Sequence, residues 1–499
     1  MKKLLTIVVF VAACVIAVPA QDPSATFDSY VENARKAWNV PGIAVTVVKD
    51  GKVVFAKGYG VKEIGKPGRV DTKTLFGSMS TTKAMTVAVL GMLVDEGKVK
   101  WDDKVVDYLP EFRLSDRYVT GDLRVRDLLT HNSGLGNTDL IWAFDEDVAP
   151  DVVVEKMKLP KLEYPLRGGY EYQNLMYFFA GRLIERVSGK KWEDIITERL
   201  FRPLGMNDTY PTLASSRAYP NLSVSHFEID GKIEAIPESS ADAIGCAGSV
   251  WSNADDIGKW VAFMLSNPEI NGKHLLKPET YNEILKPQII VPAAKFYPTA
   301  AVTKPNWITY GFGWFQHDYR GEKIDFHTGS LAGRTAIIGL MPSTGVGFYA
   351  FGNLDHAEVR HALMYKAFDL YGFGDDSRDW SAELKTLYDG LHKAGEEQQA
   401  KMRAARVEGT SPSVPLEQYA GTYSDPFVGT AEVIFENGKL RMTVEKKTSA
   451  TLNHWHYDTF EVSFDRRWYG KGLVSFELNP VTGKVAAMKF AGYELKKTK

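Results

Sequence analysis

The stretch FGSMSTTKAMTVAVLGMLV, residues 76–94, organises the rest of the chain. It opens with small residues typical of a turn. It continues with residues that are apolar on almost every face of a helix, the pattern of a helix buried in a core. Ser78 is a suitable N-cap, because its hydroxyl can accept a hydrogen bond from a free first-turn N–H. Gly97 follows the apolar run as a helix stop. We predict a buried helix that starts near Ser78 and ends before Gly97.

Ser80 and Lys83 lie in the first turn of this helix, three positions apart and therefore on one face. Burial of a lysine disfavours its charged form. A neutral amine beside a hydroxyl is a general base beside a nucleophile. The alternative interpretation is a helix N-terminus with a lysine that reaches solvent. The spacing alone does not decide between the two, because Ser-x-x-Lys recurs in the loop Ser188–Lys191.

Length and composition limit the possible classes of protein. A chain of 499 residues is longer than one domain usually is, which favours two domains. Hydrophobic residues make up 44% and charged residues 24%, as in ordinary globular proteins. The 60 basic and 62 acidic residues nearly cancel, so nothing indicates a nucleic-acid partner or an anionic membrane surface.

The first 20 residues are typical of a signal peptide. Lys2 and Lys3 precede an apolar run, and small residues before Gln21 offer a cleavage site. The run is short for a membrane span, so we expect a secreted or periplasmic protein without a stable span. A lipoprotein anchored at Cys14 is the alternative. The second cysteine, Cys246, is expected to be a small buried residue, and no cysteine-based metal site is expected.

The next segments predict a sheet backed by helices. Periodicity indicates a helix from Ser24 to Trp38. Ile43–Val48 and Lys52–Lys57 read as a β-hairpin. After a long, mostly helical region, strands are predicted at residues 310–315, 323–327, 335–340 and 346–352.

The C-terminal part changes character. Asp379–Val407 is polar and helical, and residues 409–415 form a flexible break. Short strands at regular spacing then predict a small β-barrel. They are expected at residues 429–435, 439–444, 459–464, 473–478 and 484–490. His454, His456 and Asp458 could share a face and bind a metal, but packing is the more common use of such residues and is favoured.

Two further motifs carry chemistry. Tyr172-Gln173-Asn174 follows a Gly-Gly turn and precedes an amphipathic helix, so Tyr172 presents its hydroxyl to a cleft or packs at the helix N-terminus. In His327-Thr328-Gly329, His327 ends the strand predicted at residues 323–327 and the other two residues follow it; a purely structural His327 is the alternative. His131 lies in a polar turn, and a structural role is favoured for it.

With Ser80-x-x-Lys83, Tyr172-x-Asn174 and His327-Thr328-Gly329 in this order, the chain resembles the serine β-lactamase and penicillin-binding-protein family. The class C β-lactamase, D-aminopeptidase and carboxylesterase branch is the most similar, over roughly residues 27–370. The tail resembles a lipocalin-like barrel.

The resemblance implies an α+β fold: an antiparallel sheet flanked by helices, with an all-α lobe, followed by a small β-barrel. The active site would lie between the sheet and the lobe. We predict a signal peptide (1–20), a hydrolase domain (21–385), a helical linker (386–415) and a barrel domain (416–499).

The resemblance also implies roles at the site. Ser80 would be the nucleophile, and Lys83 and Tyr172 are both candidates for the base. His327 would donate a hydrogen bond to Tyr172 or to a substrate carboxylate. Asn174 would orient the substrate and Lys83. The backbone N–H groups of Ser80 and Ser330, beside Gly329, would hold the oxyanion. No metal or cofactor is implied.

The first position of the third motif departs from the family pattern. Class C β-lactamases usually have lysine there, whereas His327 is largely uncharged at neutral pH. This weakens the expected binding of a penicillin carboxylate. We therefore expect hydrolysis of an amide or ester in a short peptide, of the D-residue peptidase type, or in a small ester. A β-lactamase is one alternative. The other is a non-catalytic protein that binds peptides or cell-wall fragments.

Overall fold

The computed structural model describes residues 22–499. The predicted signal segment and Cys14 lie outside the described residues. The described chain contains helices α1 Ser24–Ala37, α2 Thr82–Asp95, α3 Val105–Tyr108, α4 Arg117–Asp122, α5 Leu140–Ala143, α6 Pro150–Lys156, α7 Asn174–Ser188, α8 Trp192–Ile196, α9 Leu213–Ser216, α10 Gly245–Gly248, α11 Ala254–Ser266, α12 Pro278–Ile284, α13 Ala300–Thr303, α14 Val359–Ala367 and α15 Trp380–Ala404.

The strands form a first group in residues 42–352 and a second group near the C-terminus. The first group is β1 Gly42–Lys49, β2 Lys52–Gly60, β3 Phe76–Gly77, β4 His226–Ile229, β5 Lys232–Ala235, β6 Trp251–Ser252, β7 Ile289–Ile290, β8 Ile308–Tyr310, β9 Phe315–Tyr319, β10 Glu322–Leu331, β11 Arg334–Met341 and β12 Val346–Gly352. The second group is β13 Gly421–Asp425, β14 Gly429–Glu436, β15 Lys439–Val444, β16 Thr448–His456, β17 Thr459–Phe464, β18 Lys471–Leu478, β19 Val485–Phe490 and β20 Tyr493–Lys497.

One antiparallel sheet of eight strands, in the order β2-β1-β12-β11-β10-β9-β8-β7, forms the centre of the larger part. Alternate residues of each strand point to opposite sides of the sheet, and both sides are buried. In β1, Ile43 and Val45 pack in one cluster with α1 and α14, whereas Ala44 and Val48 pack in another with α2 and α11. The helices α2–α13 fall between β2 and β12 in the chain and include the helical lobe. The predicted antiparallel sheet flanked by helices is confirmed.

Helix α2 is the buried helix that the opening stretch predicts. Its residues from Thr82 to Leu93 are all buried. Gly97 adopts φ +72° just beyond its end, and the N–H of Lys98 bonds to the carbonyl of Leu93, as at a glycine-terminated helix. The predicted cap is wrong: Ser78 makes no side-chain capping bond. A 3₁₀ turn, Met79–Thr81, precedes α2 instead and satisfies N–H groups through backbone bonds.

The segment Tyr310–Phe315 is not one strand, contrary to the prediction. It is a turn between β8 and β9, in which Gly313 adopts φ +80°. Gly313 approaches α2 closely, since an added Cβ would lie 3.1 Å from the backbone N of Ala84. The strand predicted at 323–327 continues to Leu331, so the whole His327-Thr328-Gly329 motif lies on β10.

The C-terminal strands close into an eight-stranded barrel, as the family resemblance implies for this part. Three of these strands, β13, β16 and β20, were not among the predicted ones. Helix α15 leads to the barrel, and the predicted boundary after residue 385 falls inside it. Ion pairs join the barrel to the helical lobe, including Arg466 with Glu146 at 2.6 Å and Lys447 with Asp147 at 2.8 Å.

Within residues 22–499, none of the helices combines the length and the apolar character needed to cross a bilayer.

Candidate active site

Ser80 lies in the 3₁₀ turn directly before α2, at the edge of β10. The turn is strained at one residue and is anchored by strand pairing. Met79 adopts φ +50°, a left-handed conformation that is costly for a side chain other than glycine. Phe76 and Gly77 pair with β6, which anchors the segment that enters the turn. The Ser80 side chain is half-buried and therefore remains reachable from the cleft.

The Lys83 amine is fully buried and contacts the Ser80 hydroxyl. Its Nζ lies 3.1 Å from Ser80 Oγ, 2.7 Å from Asn174 Oδ1 and 2.9 Å from the carbonyl oxygen of Ala247. The last two oxygens can only accept hydrogen bonds. A neutral amine has two hydrogens and one lone pair. With both hydrogens donated to these oxygens, its lone pair is left for the Ser80 hydroxyl.

Asp139 fixes the orientation of the Asn174 amide. Asn174 Nδ2 donates to Asp139 Oδ2 at 2.9 Å, and a carboxylate accepts only, so the amide oxygen must face Lys83. Asp139 is itself held by the indole N–H of Trp142 at 3.1 Å. Sequence reasoning missed Asp139, because it lies in an irregular loop and shares no motif with Ser80.

The charge state of Lys83 follows from its surroundings. Burial, the largest cause, lowers the pKa of Lys83 to about 7, while the negative charge of Asp139 acts in the opposite direction. The amine is therefore about half neutral near pH 7, in contrast to an exposed lysine. A general base in this pKa range suits proton abstraction from a hydroxyl at neutral pH.

Tyr172 lies on the other side of the amine. Lys83 Nζ is 4.9 Å from the centre of its ring. The Tyr172 hydroxyl is buried and makes no hydrogen bond within residues 22–499. Burial raises the pKa of Tyr172 well above its usual value, although the nearby Ser80 hydroxyl lowers it somewhat. A lowered phenol pKa, which a role as free base requires, is therefore not found.

His131 holds the segment that carries Tyr172. Its carbonyl accepts the N–H of Glu171 at 3.0 Å, and its Nδ1 accepts the N–H of Gln173 at 3.0 Å. Its ring centre also lies 4.3 Å from that of Tyr172, with the two ring planes tilted by 38°. These contacts fit the structural role favoured from the sequence, and through them His131 positions Tyr172, the first residue of the second motif.

His327 does not make the hydrogen bond that was expected of it. Its Nδ1 donates to the carbonyl of Thr328 at 2.6 Å, so its Nε2 is the acceptor and takes the Tyr310 hydroxyl at 3.0 Å. Burial, with a smaller contribution from Lys83, lowers the pKa of His327 to about 3. The ring is therefore neutral, and both of its nitrogens are already hydrogen-bonded. It neither donates to Tyr172 nor offers a cation to a carboxylate.

Gly329 and Ser330 lie along the Ser80 turn. A Cβ on Gly329 would be 2.5 Å from the carbonyl oxygen of Ser78 and 3.0 Å from the backbone N of Ser80, so only glycine fits without a shift. Arg360 donates to the Gly329 carbonyl at 2.6 Å and to Ser330 Oγ at 2.9 Å. In a trans peptide, C=O and N–H point in opposite directions, so this contact directs the Ser330 N–H away from Arg360.

The other patterns noted in the sequence are not part of this site. Ser188 ends α7, and its hydroxyl accepts the N–H of Lys190 rather than contacting the Lys191 amine. His454 and Asp458 bond to the Tyr457 carbonyl and to Ser413. Within the described chain, no group of three or more His, Cys, Asp or Glu side chains is placed to hold a metal.

Comparison with known families gives the identity of the larger part. A family model described as beta-lactamase matches residues 27–370. The chain belongs to the β-lactamase family. A second model, described only as a domain of unknown function (DUF3471), matches residues 405–499. Members of the β-lactamase family with this fold are serine hydrolases.

Individual relatives agree with this assignment. The chain is 28% identical over 442 residues to an unguisins hydrolase from Aspergillus campestris, covering 85% of this chain and 80% of that one. An octameric penicillin-binding protein homologue from Pyrococcus abyssi has a similar fold, with a TM-score of 0.61, 22% identity and coverage of 95% and 99%. A D-amino acid amidase from Ochrobactrum anthropi SV3, complexed with L-phenylalanine amide, has a TM-score of 0.57 at 22% identity, covering 69% of this chain and 99% of that one.

The predicted family and fold class of this β-lactamase-family protein are confirmed. The catalytic roles of Ser80, Lys83, Tyr172 and Asn174 stay predictions. The structure brings these four side chains together around one amine.

Proposed function

We propose that this protein hydrolyses an amide or ester bond through an acyl-enzyme formed at Ser80. The observation that carries the proposal is the contact between Lys83 and Ser80: a buried amine with a pKa of about 7 lies 3.1 Å from a reachable hydroxyl. A nucleophile and a base within hydrogen-bond reach, with the base oriented by a third group, form the arrangement that covalent catalysis needs. Asn174 is that third group.

In the acylation step, Ser80 Oγ attacks the carbonyl carbon of the substrate while Lys83 Nζ takes the hydroxyl proton. The carbonyl oxygen becomes an oxyanion, which the N–H groups of Ser80 and Ser330 stabilise. The tetrahedral intermediate then collapses, and the bond to the leaving amine or alcohol breaks. The proton on Lys83 passes to that leaving group, and the Tyr172 hydroxyl relays it.

In the deacylation step, a water molecule attacks the ester of Ser80. Lys83 takes a proton from the water, the bond to Ser80 Oγ breaks, and the proton returns to that oxygen. Of the two candidate bases, the raised pKa of Tyr172 favours Lys83. Tyr172 then acts as a neutral hydroxyl that accepts one proton as it donates another.

The substrate class follows from what the third motif offers. The neutral His327 supplies no positive charge for a penicillin carboxylate, which argues against a β-lactamase. Small peptides, including those with D residues, and small esters need no such cation at this position. The names of one relative, an unguisins hydrolase, and of one protein with a similar fold, a D-amino acid amidase, support hydrolysis of such a substrate. We further propose that residues 1–20 direct the protein to secretion.

The test compares two serine variants. Ser80→Ala should abolish the burst and the steady release of p-nitrophenol from p-nitrophenyl acetate. Ser188→Ala removes the serine of the second Ser-x-x-Lys pattern and should behave as the wild type. Turnover that survives in Ser80→Ala contradicts the proposal. A burst in the wild type with no steady state supports the binding-protein alternative instead.

A further inference from the structure

An apolar cavity lies between the barrel and the hydrolase domain. It holds about 500 Å³, within the range of about 300–1,000 Å³ that small-ligand pockets occupy. Both domains line it. Trp142, Phe144 and Leu331 come from the hydrolase domain, and Phe464, Leu473 and Phe490 come from the barrel. Neither domain encloses this space alone.

Two of the residues that line the cavity, Leu331 and Trp142, are linked directly to the catalytic groups. Leu331 directly follows Ser330, whose N–H is assigned to the oxyanion. On the opposite side, the Trp142 indole donates to Asp139, which orients the Asn174 amide against Lys83. Trp142 thus connects the cavity wall to the catalytic amine through two side chains, Asp139 and Asn174, and Leu331 is one residue from the oxyanion donor.

The walls are suited to an uncharged group. The Phe144 ring lies 5.5 Å from Phe490 and 6.3 Å from Phe464, centre to centre, so aromatic faces form the interior. The one acidic residue at the rim, Glu146, is neutralised: it pairs with Arg466 at 2.6 Å and accepts the N–H of Ser240 at 3.0 Å. No unpaired charge on Glu146 is therefore available to a ligand.

We propose that this cavity is a substrate subsite for a bulky apolar group, the side chain or acyl chain next to the bond cut at Ser80, and that the barrel determines this preference. The inference rests on the proposed function, because it gives the selectivity of that same site. The barrel then takes a direct part in substrate selection. A peptide or ester with a small or charged group at this position does not cover the aromatic surface and should be a poorer substrate.

Two matched variants in the barrel test the proposal. Leu473 lines the cavity and is 37% exposed, whereas Ile434 lies on another barrel strand, is 43% exposed and does not line it. Each is changed to glutamate. The readout is the ratio of kcat/KM for p-nitrophenyl hexanoate to that for p-nitrophenyl acetate. These esters share a leaving group and differ only in apolar length.

We expect Leu473→Glu to lower this ratio by about 10-fold or more, since one methylene in an apolar pocket is already worth about 10-fold. Ile434→Glu should keep the wild-type ratio, and melting temperatures of both variants show whether the barrel remains folded. An unchanged ratio in Leu473→Glu, or an equal fall in Ile434→Glu, overturns the proposal.

Direct binding separates this inference from the proposed function. The neutral fluorescent probe N-phenyl-1-naphthylamine should bind the full-length wild type and Ser80→Ala alike. Its Kd should rise about 10-fold in Leu473→Glu only. If no ester is turned over, the proposed hydrolysis fails while probe binding still tests the cavity. Binding that is unaffected by Leu473→Glu contradicts the subsite.

Discussion

Lys83 Nζ lies 2.7 Å from Asn174 Oδ1, closer than it lies to Ser80 Oγ at 3.1 Å. The amide oxygen faces the amine because Asp139 holds the other end of the amide. This contact, together with the Ala247 carbonyl, uses the two hydrogens of a neutral amine and leaves its lone pair for the serine. The activity should therefore depend on whether the Lys83 amine is protonated.

The pH profile should show this directly. Burial lowers the pKa of Lys83 to about 7, and only the neutral amine can take the Ser80 proton. Below pH 7 the amine is protonated, so kcat/KM for a neutral ester should fall by about tenfold per pH unit. Above pH 7 it should level off. A profile that stays flat from pH 5 to 8 is incompatible with Lys83 as the base.

Asp139→Asn should shift the acid limb of this profile, the fall in kcat/KM below pH 7, to lower pH. The negative charge of Asp139 opposes the effect of burial and raises the pKa of Lys83, so its removal should lower that pKa further. The new amide oxygen can still accept from Asn174 Nδ2. Asp147→Asn is the matched control, since Asp147 is exposed and pairs with Lys447 on the barrel. A limb that shifts upward, or shifts equally in both variants, contradicts the assigned coupling.

Gly329→Ala should damage the site through one added carbon. Its Cβ would lie 2.5 Å from the Ser78 carbonyl oxygen and 2.7 Å from Met79 Cβ, so the Ser80 turn must move. We expect kcat to fall about 100-fold or more, as when an oxyanion donor is lost. The free energy of unfolding should decrease by about 1–3 kcal/mol. Gly121→Ala, in helix α4 with nothing within 4 Å of the added carbon, should leave kcat unchanged and should not lower the free energy of unfolding.

Arg360 should position the oxyanion donor without touching substrate. It bonds the Gly329 carbonyl and Ser330 Oγ, and it also pairs with the nearby Glu358 at 2.9 Å. Arg360→Lys keeps the positive charge but loses the planar fork that contacts β10 through Nη1 while Nε and Nη2 pair with Glu358. We expect kcat to fall by about 10- to 100-fold with little change in KM, because the contact acts on the transition state. A rise in KM with kcat unchanged indicates a role in ground-state binding instead.

The sequence predicts the parts of the site that local geometry determines. Ser80 and Lys83 meet because three positions along a helical turn bring side chains to one face. The motif on β10 could be found from the sequence, but the hydrogen-bond partner of His327 could not. Tyr310 lies 17 residues away in the chain and reaches His327 Nε2 across the sheet. The expected bond from His327 to Tyr172 was wrong for that reason. Asp139, His131 and Arg360 act through long-range contacts that no spacing indicates.

The fold shows the same division between local and long-range information. Hairpins and the buried helix could be predicted from periodicity and turn residues. The missed barrel strand β16 carries His454 and Trp455, and its pairing with β15 and β17 depends on closure of the barrel. The turn at Gly313 interrupts an aromatic run that reads locally as a strand, because close approach to α2 requires a positive φ there.

The central claim is tested most directly by finding where a serine-reactive phosphonylating probe attaches. The wild type is labelled with a fluorophosphonate at pH 8, digested with trypsin and analysed by mass spectrometry. We predict one modified serine, Ser80, in the peptide Thr74–Lys83, and no label in Ser80→Ala. Label on Ser78 or Ser188, or undiminished labelling of Ser80→Ala, would contradict the assignment of Ser80 as the nucleophile.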